Sequence, residues 1–189
     1  MDIATSLFDG KLIRLAYIDH DKDPQIESQW THNAEFMRLM NLAPARPLSP
    51  AHLKKKYEAI EKKADEDKNL FYFTIRMCLD DRLVGHARID WIEWTNGNGN
   101  VKLGIGDPSD RGHGFGTEAL QLLLRYAFAE LNLFRLSAEI PEYNPAALHL
   151  FQKLGFIEEV RRRQLLNRDG RRWDLISFGL LQEEWRQLC

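Results

Sequence analysis

Apolar residues recur with two different spacings in the first third of the chain. Residues 11–18 (KLIRLAYI) alternate apolar and polar positions, and this period of two predicts a first β-strand. Residues 25–41 place apolar side chains at roughly helical spacing, which predicts one helix or two short ones. Ser49 and Pro50 predict the start of a charged amphipathic helix, because serine caps helices and proline favours their first turn.

The spacing then changes to strand-like runs separated by turns and two further helices. Asp80 and Asp81 lie between two β-rich runs and predict a hairpin. Residues 95–100 and 167–170 are rich in asparagine and glycine and predict later turns. The predicted strands span residues 69–79, 82–94, 101–106, 134–140, 156–166 and 171–181, and the predicted helices run from the glycines near residue 112 to Leu131 and over 144–155.

The order of these elements indicates the fold class. A strand, helices, three strands, a helix, a strand, a helix and two strands are typical of a mixed α/β domain. No repeat, low-complexity tract or linker interrupts the order, so we expect a single domain over residues 1–189.

Composition narrows the function classes. The chain has 189 residues, is 44% hydrophobic and carries a net charge of −2, so broad binding to nucleic acid phosphates is not expected. Cys78 and Cys189 are far apart, which argues against a disulfide framework, and no apolar run is long enough to span a membrane. The histidines lack metal-ligand spacing. We expect a soluble cytoplasmic protein without a metal.

Three glycines in five positions stand at the entrance of an apolar helix. Gly112, Gly114 and Gly116 follow Arg111, and their repetition indicates that something approaches the main chain closely, because glycine is costly at a helix start without such a cause. A helix N-terminus presents unpaired N–H groups and the positive end of its dipole. We therefore predict an anion site, to which Arg111 adds a charge and Thr117 a hydroxyl.

A simple turn or a nucleotide-binding loop accounts less well for the three glycines. A tight turn that only requires positive φ needs one glycine, although this alternative stays open. The spacing G-x-G-x-G differs from the Rossmann dinucleotide fingerprint, and the phosphate-loop pattern G-x-x-x-x-G-K-[ST] is absent.

Residues 111–116 (RGHGFG) resemble the R/Q-x-x-G-x-G/A signature of the GNAT superfamily of N-acetyltransferases. The likeness is strong over about residues 100–180 and continues to the N-x-x-A…GF pattern at Asn144, Ala147, Gly155 and Phe156. This part of the chain is similar to the subgroup of ribosomal-protein N-terminal acetyltransferases and spermidine acetyltransferases.

The resemblance implies a fold, a cofactor and an activity. It implies a twisted, mostly antiparallel mixed sheet of about seven strands flanked by helices, with a V-shaped splay between the fourth and fifth strands that admits the pantetheine arm of acetyl-CoA. Gly104 would mark a bulge or a close approach there. The cofactor-binding residues that it implies are Leu103, Gly104, Ile105, Arg111, Gly112, His113, Gly114, Phe115, Gly116, Thr117, Asn144, Phe151 and Lys153.

The implied reaction is acetyl transfer to a primary amine by direct attack in a ternary complex. Such an amine has a pKa near ~10.4, so a base or a water chain must remove its proton at neutral pH. A backbone N–H near Leu103–Ile105 would stabilise the oxyanion. The chain departs from many relatives, which carry glutamate at the position of Lys102 and tyrosine at that of Phe151. The candidate catalytic residues are therefore Glu139, Tyr143, Asn144 and Glu93, with Asp90 as a further carboxylate.

Two alternatives of different classes stay open. A coenzyme A-binding regulatory module without catalysis would fit Lys102 and Phe151. A nucleic-acid surface would fit the six arginines at residues 161–172, although a solvated hairpin explains them better in a chain of near-neutral charge. The expected acceptor is a protein N-terminus, a polyamine or another small amine, and a homodimer is left open. Trp91 and Trp94 should point to opposite faces of their strand, one of them into the core.

Overall fold

A seven-stranded sheet forms the centre of the computed structural model, which describes residues 6–188. The strand order is β1-β2-β3-β4-β5-β7-β6, and β4 and β5 are the parallel pair. The strands are β1 (Ile13–Ala16), β2 (Phe71–Met77), β3 (Leu83–Glu93), β4 (Asn98–Ile105), β5 (Arg135–Pro141), β6 (Ile157–Arg168) and β7 (Arg171–Leu181). This arrangement confirms the predicted mixed, mostly antiparallel sheet.

Six α-helices flank the sheet in the described part of the chain. They are α1 (Asp23–Thr31), α2 (Ala34–Met40), α3 (Pro50–Asp67), α4 (Phe115–Arg125), α5 (Pro145–Lys153) and α6 (Gln182–Leu188). A π-helical turn, Tyr126–Glu130, extends α4. The predicted single helix or pair over 25–41 is a pair, because the Asn33 side chain accepts a hydrogen bond from the Phe36 amide and starts a new helix.

The two faces of the sheet are covered by different helices. The apolar face of α4 contributes Leu120, Leu123 and Leu124 to the main core, together with Ile75 and Ile89 of the sheet. A second cluster contains residues of α1 and α2 with Leu83 of β3. The α1–α3 segment therefore covers the face of the sheet opposite to α4, and the space between that segment and the sheet becomes important below.

Several predicted boundaries differ from the structure. The first strand is shorter than 11–18, β4 starts inside the predicted 95–100 turn, and helix α6 follows β7 where we predicted the end of the final hairpin. The prediction for the two tryptophans is wrong, since Trp91 and Trp94 are 74% and 49% exposed. A bulge between Asp90 and Glu93, with Trp91 at a φ of +52°, breaks the alternation that the prediction assumed.

Three expectations concern features outside the sheet. Cys78 is exposed, whereas Cys189 lies outside the described residues. Within residues 6–188, none of the helices combines the length and apolar character needed to cross a bilayer. That same range contains no group of three or more His, Cys, Asp or Glu side chains placed to hold a metal ion.

Candidate active site

The glycine loop forms an open cradle in front of α4. Gly112 and Gly114 have φ values of +78° and +88°, a region that glycine adopts without strain. A Cβ atom at Gly112 would meet no atom within 4 Å, and one at Gly114 would meet only Leu12 Cδ1, at 3.4 Å. Gly112, His113 and Gly114 are exposed. The space in front of the main chain is therefore accessible to a ligand.

The amides of this loop are free to bind an anion. Within residues 6–188, the N–H groups from Gly112 to Thr117 donate to no protein acceptor, and the first helical bond runs from the Glu118 amide to the Gly114 carbonyl at 3.0 Å. Arg111 Nη1 lies 3.4 Å from Glu35 Oε2, while its Nη2 atom is buried without a partner. Unpaired amides at a helix N-terminus beside an arginine suit a diphosphate.

Glu118 fixes the orientation of the helix that carries the loop. Its carboxylate accepts hydrogen bonds from the backbone amides of Lys11, Leu12 and Ile13 at 2.7, 2.7 and 2.8 Å. Bonds to an ionised acceptor are stronger than those between neutral groups. The first turn of α4 is thus attached to the start of β1.

The fourth and fifth strands separate at the position that the resemblance implied. β4 and β5 pair from Asn98 with Arg135 to Asn100 with Ser137, and in the described chain their backbones do not pair beyond that point. The Gly106 amide donates to the Val84 carbonyl at 2.9 Å on the β3 side. Hydrogen-bonding direction alternates along a strand, so the amides of Leu103 and Ile105 face the gap left by β5.

A narrow cleft of about 50 Å³ follows this gap. Its walls come from α2, β4, β5 and α5. Asn144 lines the cleft and caps α5, because its side-chain oxygen accepts from the Ala147 amide at 3.1 Å. Phe151 also lines it and packs against Phe156 with ring centroids 4.9 Å apart. Asn144 therefore caps α5 and borders the cleft at the same time.

A larger chamber of about 220 Å³ lies between the sheet and the α1–α3 segment. The chamber and the cleft share Met40 of α2 and Lys102 of β4. The sheet contributes Tyr72, His86, Arg88 and Lys102, and the covering segment contributes Glu27, Thr31, Phe36, Met37, Met40, Asn41, Ala43, Pro44, Arg46, Leu48, Lys56 and Ile60. The two cavities are therefore adjacent at Met40 and Lys102.

Glu27 is the carboxylate that lines the chamber. Its side chain is 3% exposed, accepts a hydrogen bond from Lys56 Nζ at 2.9 Å and a short one from Tyr57 Oη, and lies 4.0 Å from His86 Nδ1. Burial lowers the pKa of His86 to about 4, although Glu27 opposes the shift. The imidazole is therefore neutral at physiological pH.

Lys102 extends into the junction between chamber and cleft. Burial and repulsion from Arg88 lower the pKa of Lys102 to about 8. Arg88 Nε lies 2.8 Å from Asp90 Oδ2, and Asp90 Oδ1 accepts a bond from Asn100 at 3.1 Å. Asp90 therefore interacts with its neighbours in the sheet and lines neither the chamber nor the cleft.

The four predicted catalytic residues do not gather around one point. Glu139 and Asn144 line the cleft, and Glu139 forms a short ion pair with Arg162. Tyr143 donates its hydroxyl proton to the Arg38 carbonyl at 3.2 Å and is not part of the cleft wall.

Glu93 lies at the end of β3, beside the part of β4 that is still paired with β5. It pairs with Asn98, at the closed end of the splay, and accepts a bond from Asn96. The structure thus places Glu93 away from the cleft. Lys153, which the resemblance places at the cofactor, is exposed at the end of α5.

The arginine hairpin is a solvated edge of the sheet. β6 is exposed along most of its length. Arg161 pairs with Glu158, Asp174 and Glu142, while Arg162 pairs with Glu139. These ion pairs engage two of the six arginines that suggested a nucleic-acid surface.

Sequence reasoning missed most of the chamber. Tyr72, His86 and Arg88 line it, and none of them is among the predicted site residues. A signal was present, since His86, Arg88 and Asp90 alternate with Gly85, Ala87 and Ile89. Such a polar face on a central strand is either exposed to water or covered by elements that present polar side chains to it. Glu27 gave no comparable signal, because one acidic residue of an amphipathic helix is usually exposed.

The sequence pattern of the acetyltransferase (GNAT) domain matches residues 13–157, well over half of the chain. The chain belongs to this family. It is accordingly an acyltransferase with acetyl-CoA as the acyl donor. The open amides at Gly112–Thr117 and the buried, unpartnered Nη2 of Arg111 fit the diphosphate of that donor.

Individual relatives extend the similarity over most of the chain. The uncharacterized N-acetyltransferase p20 of Bacillus licheniformis is 27% identical over 165 residues, which are 87% of this chain and 90% of that protein. A putative ribosomal N-acetyltransferase, YdaF of Bacillus subtilis, is 35% identical over 58% of this chain and 59% of its own length. The crystal structure of the spermidine N-acetyltransferase from Vibrio cholerae, in complex with CoA and spermine, has a TM-score of 0.80 with 21% identity. It covers 94% of this chain and 99% of that one, and shows that the fold is shared.

Proposed function

We propose that this protein transfers the acetyl group of acetyl-CoA to a primary amine bound in the chamber, by direct attack in a ternary complex. The observation that carries the proposal is the junction of the two cavities at Met40 and Lys102. One cavity lies where strands β4 and β5 separate, and the other is large enough for a small amine. Because the cavities are adjacent, a donor and an acceptor bound in them would be held close together, and proximity by itself accelerates a reaction.

Each part of the site has a separate task. When bound, acetyl-CoA supplies an activated thioester carbonyl. The amides of Gly112–Thr117 and Arg111 would hold its diphosphate, and the edges of β4 and β5 would pair with the amides of its pantetheine arm. The amides of Leu103 and Ile105 face the gap and would donate to the carbonyl oxygen as negative charge develops there.

The remaining steps concern the amine and its protons. The amine nitrogen forms a bond to the carbonyl carbon, the carbon–sulfur bond breaks, and the amine loses one proton while the sulfur gains one. Glu139 and Asn144 line the cleft, so they are our candidates for contact with the reacting groups. Glu139 becomes available to accept a proton when its ion pair with Arg162 opens.

Thiol release from acetyl-CoA in the presence of a panel of amines tests the proposal. The panel contains polyamines, short peptides with free N-termini, amino acids and simple alkylamines. Turnover with at least one of them, abolished by Gly114→Asp, is the expected result. Tight coenzyme A binding in calorimetry without turnover on any amine would instead support a regulatory module. Lys102 and Phe151, at positions where relatives carry glutamate and tyrosine, favour that second function.

A further inference from the structure

The chamber is lined by more positive than negative side chains. Arg46, Lys56, Arg88 and Lys102 are cationic, whereas Glu27 is the one carboxylate among the described lining residues. Lys56 pairs with Glu27 and Arg88 with Asp90, so within residues 6–188 Arg46 and Lys102 are the lining cations without an acidic partner. A polyamine needs carboxylates to bind its ammonium groups and would meet like charges here. We infer that the acceptor is a small amine that also carries a carboxylate or a phosphate, and that Lys102 binds this anionic group. The inference rests on the proposed function and names its substrate class.

Glu27 is not available for a second ammonium group. Lys56 and Tyr57 donate to its two oxygens, and its side chain is 3% exposed. An incoming cation would have to displace these partners, which costs the interactions they make. Glu27 therefore balances Lys56 and leaves no negative charge for the acceptor.

In the described part of the chain, Lys102 forms no ion pair with a carboxylate. Within residues 6–188 no acidic oxygen lies within 4 Å of its Nζ atom. The two acidic residues whose charges act on Lys102 are engaged, since Asp90 pairs with Arg88 and Glu139 pairs with Arg162. A half-buried ammonium without a counter-charge is unfavourable until an anion arrives, and a pKa lowered to about 8 agrees with this geometry.

Two further donors around the chamber are incompletely satisfied. Tyr72 Oη is buried without a hydrogen bond, and Arg88 Nε approaches Asp90 as an ion pair without hydrogen-bond alignment. Both residues belong to the lining. Buried polar atoms are nearly always paired in the complete molecule. A carboxylate or a phosphate offers several acceptor oxygens and would satisfy these donors together with Lys102.

The position of Lys102 also limits the length of the acceptor. Lys102 borders both the chamber and the cleft, where the amine must meet the acyl group. An anionic group bound to it therefore lies only a few bonds from the amine. Short amino acids and amino phosphates meet this condition, and a chamber of about 220 Å³ accommodates them.

Matched pairs of amines test the inference. The pairs are β-alanine with its amide and O-phosphoethanolamine with ethanolamine, with spermidine and an alanine-led peptide as further acceptors. We expect kcat/KM for an anionic member to exceed that of its neutral counterpart by about tenfold to a hundredfold, the usual effect of a charge-assisted bond. The carboxylate and phosphate pairs show which anion is recognised.

Variants of Lys102 identify the residue responsible. Lys102→Gln should remove the preference, and Lys102→Arg should retain it. Lys62→Gln is the matched control, because Lys62 is an exposed residue of α3 outside the chamber lining. Equal or better turnover of neutral amines, spermidine or the peptide would overturn the inference, as would a preference that survives in Lys102→Gln.

Binding measurements separate this inference from the proposed function. The same amines are titrated calorimetrically into the protein saturated with coenzyme A. If no amine is turned over, the proposed function fails, but the substrate class is still decided by binding. Binding of the anionic members by the wild type and its loss in Lys102→Gln support an anion site, and equal binding of both members of each pair refutes it.

Discussion

The side chain of Met40 occupies the space that a Cβ atom at Gly104 would need. An added Cβ would lie 2.1 Å from the sulfur and 2.7 Å from the terminal methyl of Met40. The neighbour that requires a glycine here is a helix α2 side chain, and the close approach of a cofactor at Gly104 stays a prediction. The β3–β4 register runs without a break through Gly104, so this residue does not mark a bulge.

Gly104→Ala should displace Met40 from the junction of chamber and cleft. We expect a loss of about 1–3 kcal/mol in the free energy of unfolding, as for other overpacked cores. In urea unfolding, the double variant Gly104→Ala/Met40→Ala should lose less than the sum of the two single variants, because the clash is gone. Additive losses would show that the two residues do not compete for one space.

Gly114→Asp should weaken coenzyme A binding by tenfold or more. The new carboxylate would face the diphosphate, and like charges a few ångströms apart repel by about 1–4 kcal/mol near a protein surface. Calorimetry measures the effect. Gly114→Ala reports the backbone strain alone at a φ of +88°. Gly170→Asp places the same side chain at another open glycine of positive φ, in the turn between β6 and β7. Unchanged affinity in Gly114→Asp would refute the diphosphate site.

The buried pair of Arg76 and Asp23 should be far more important for stability than an exposed pair. Arg76 Nη2 lies 2.7 and 2.8 Å from the two oxygens of Asp23, whose side chain is fully buried. Arg76→Ala leaves this carboxylate unpaired and should cost about 3–5 kcal/mol. Arg14→Ala, which breaks the solvent-exposed pair with Asp81, should change stability little, because water already screens that pair. Similar losses in chemical denaturation would contradict the distinction.

Lys102→Met should stabilise the protein at neutral pH. The pKa of Lys102 is about 8 in the folded chain and 10.5 in its ordinary state, so the unfolded chain binds more protons between those two pH values. The contribution of Lys102 to stability therefore rises with pH across this window and is least favourable below pH 8. Methionine keeps much of the volume and removes the charge.

The expected gain is about 1–3 kcal/mol at pH 7, shrinking as the pH approaches 10.5. Urea unfolding of both proteins at several pH values measures the difference. The charged groups facing Lys102 are Arg88 and Asp90 of β3, Lys56 of α3 and Glu139 of β5. If the variant is less stable than the wild type at pH 7, the charged ammonium group of Lys102 does not destabilise the folded protein.

The sheet and the glycine loop were predictable because each is indicated by residues that are close in sequence. Alternation marked the strands, Ser49 and Asn144 marked helix starts, and the spacing of Gly112, Gly114 and Gly116 marked the loop. Each of these depends on residues that are close in sequence. The bulge at Trp91 was not predictable, since nothing in the alternating pattern indicates an inserted residue.

The chamber was not predictable for the opposite reason. Its walls join Glu27 and Met40 of the first helices to His86 and Lys102 of distant strands. The sequence indicates that such helices are amphipathic, but it does not specify how far from the sheet they lie. The partners of Glu139 and Tyr143 also come from residues far away in the chain, Arg162 and Arg38. Two of the four candidate catalysts thus have partners that the sequence does not predict, although Glu139 still lines the cleft.

The gap between β4 and β5 has a consequence for the mechanics of the whole sheet. Strands β1–β4 and β5–β7 share backbone bonds only near Asn98–Asn100 and Arg135–Ser137 in the described chain. A ligand whose amides bind in the gap would form the hydrogen bonds that β4 and β5 do not make with each other. Binding of acetyl-CoA in the gap should then slow amide hydrogen exchange in both groups of strands at once, because the ligand connects them while it is bound.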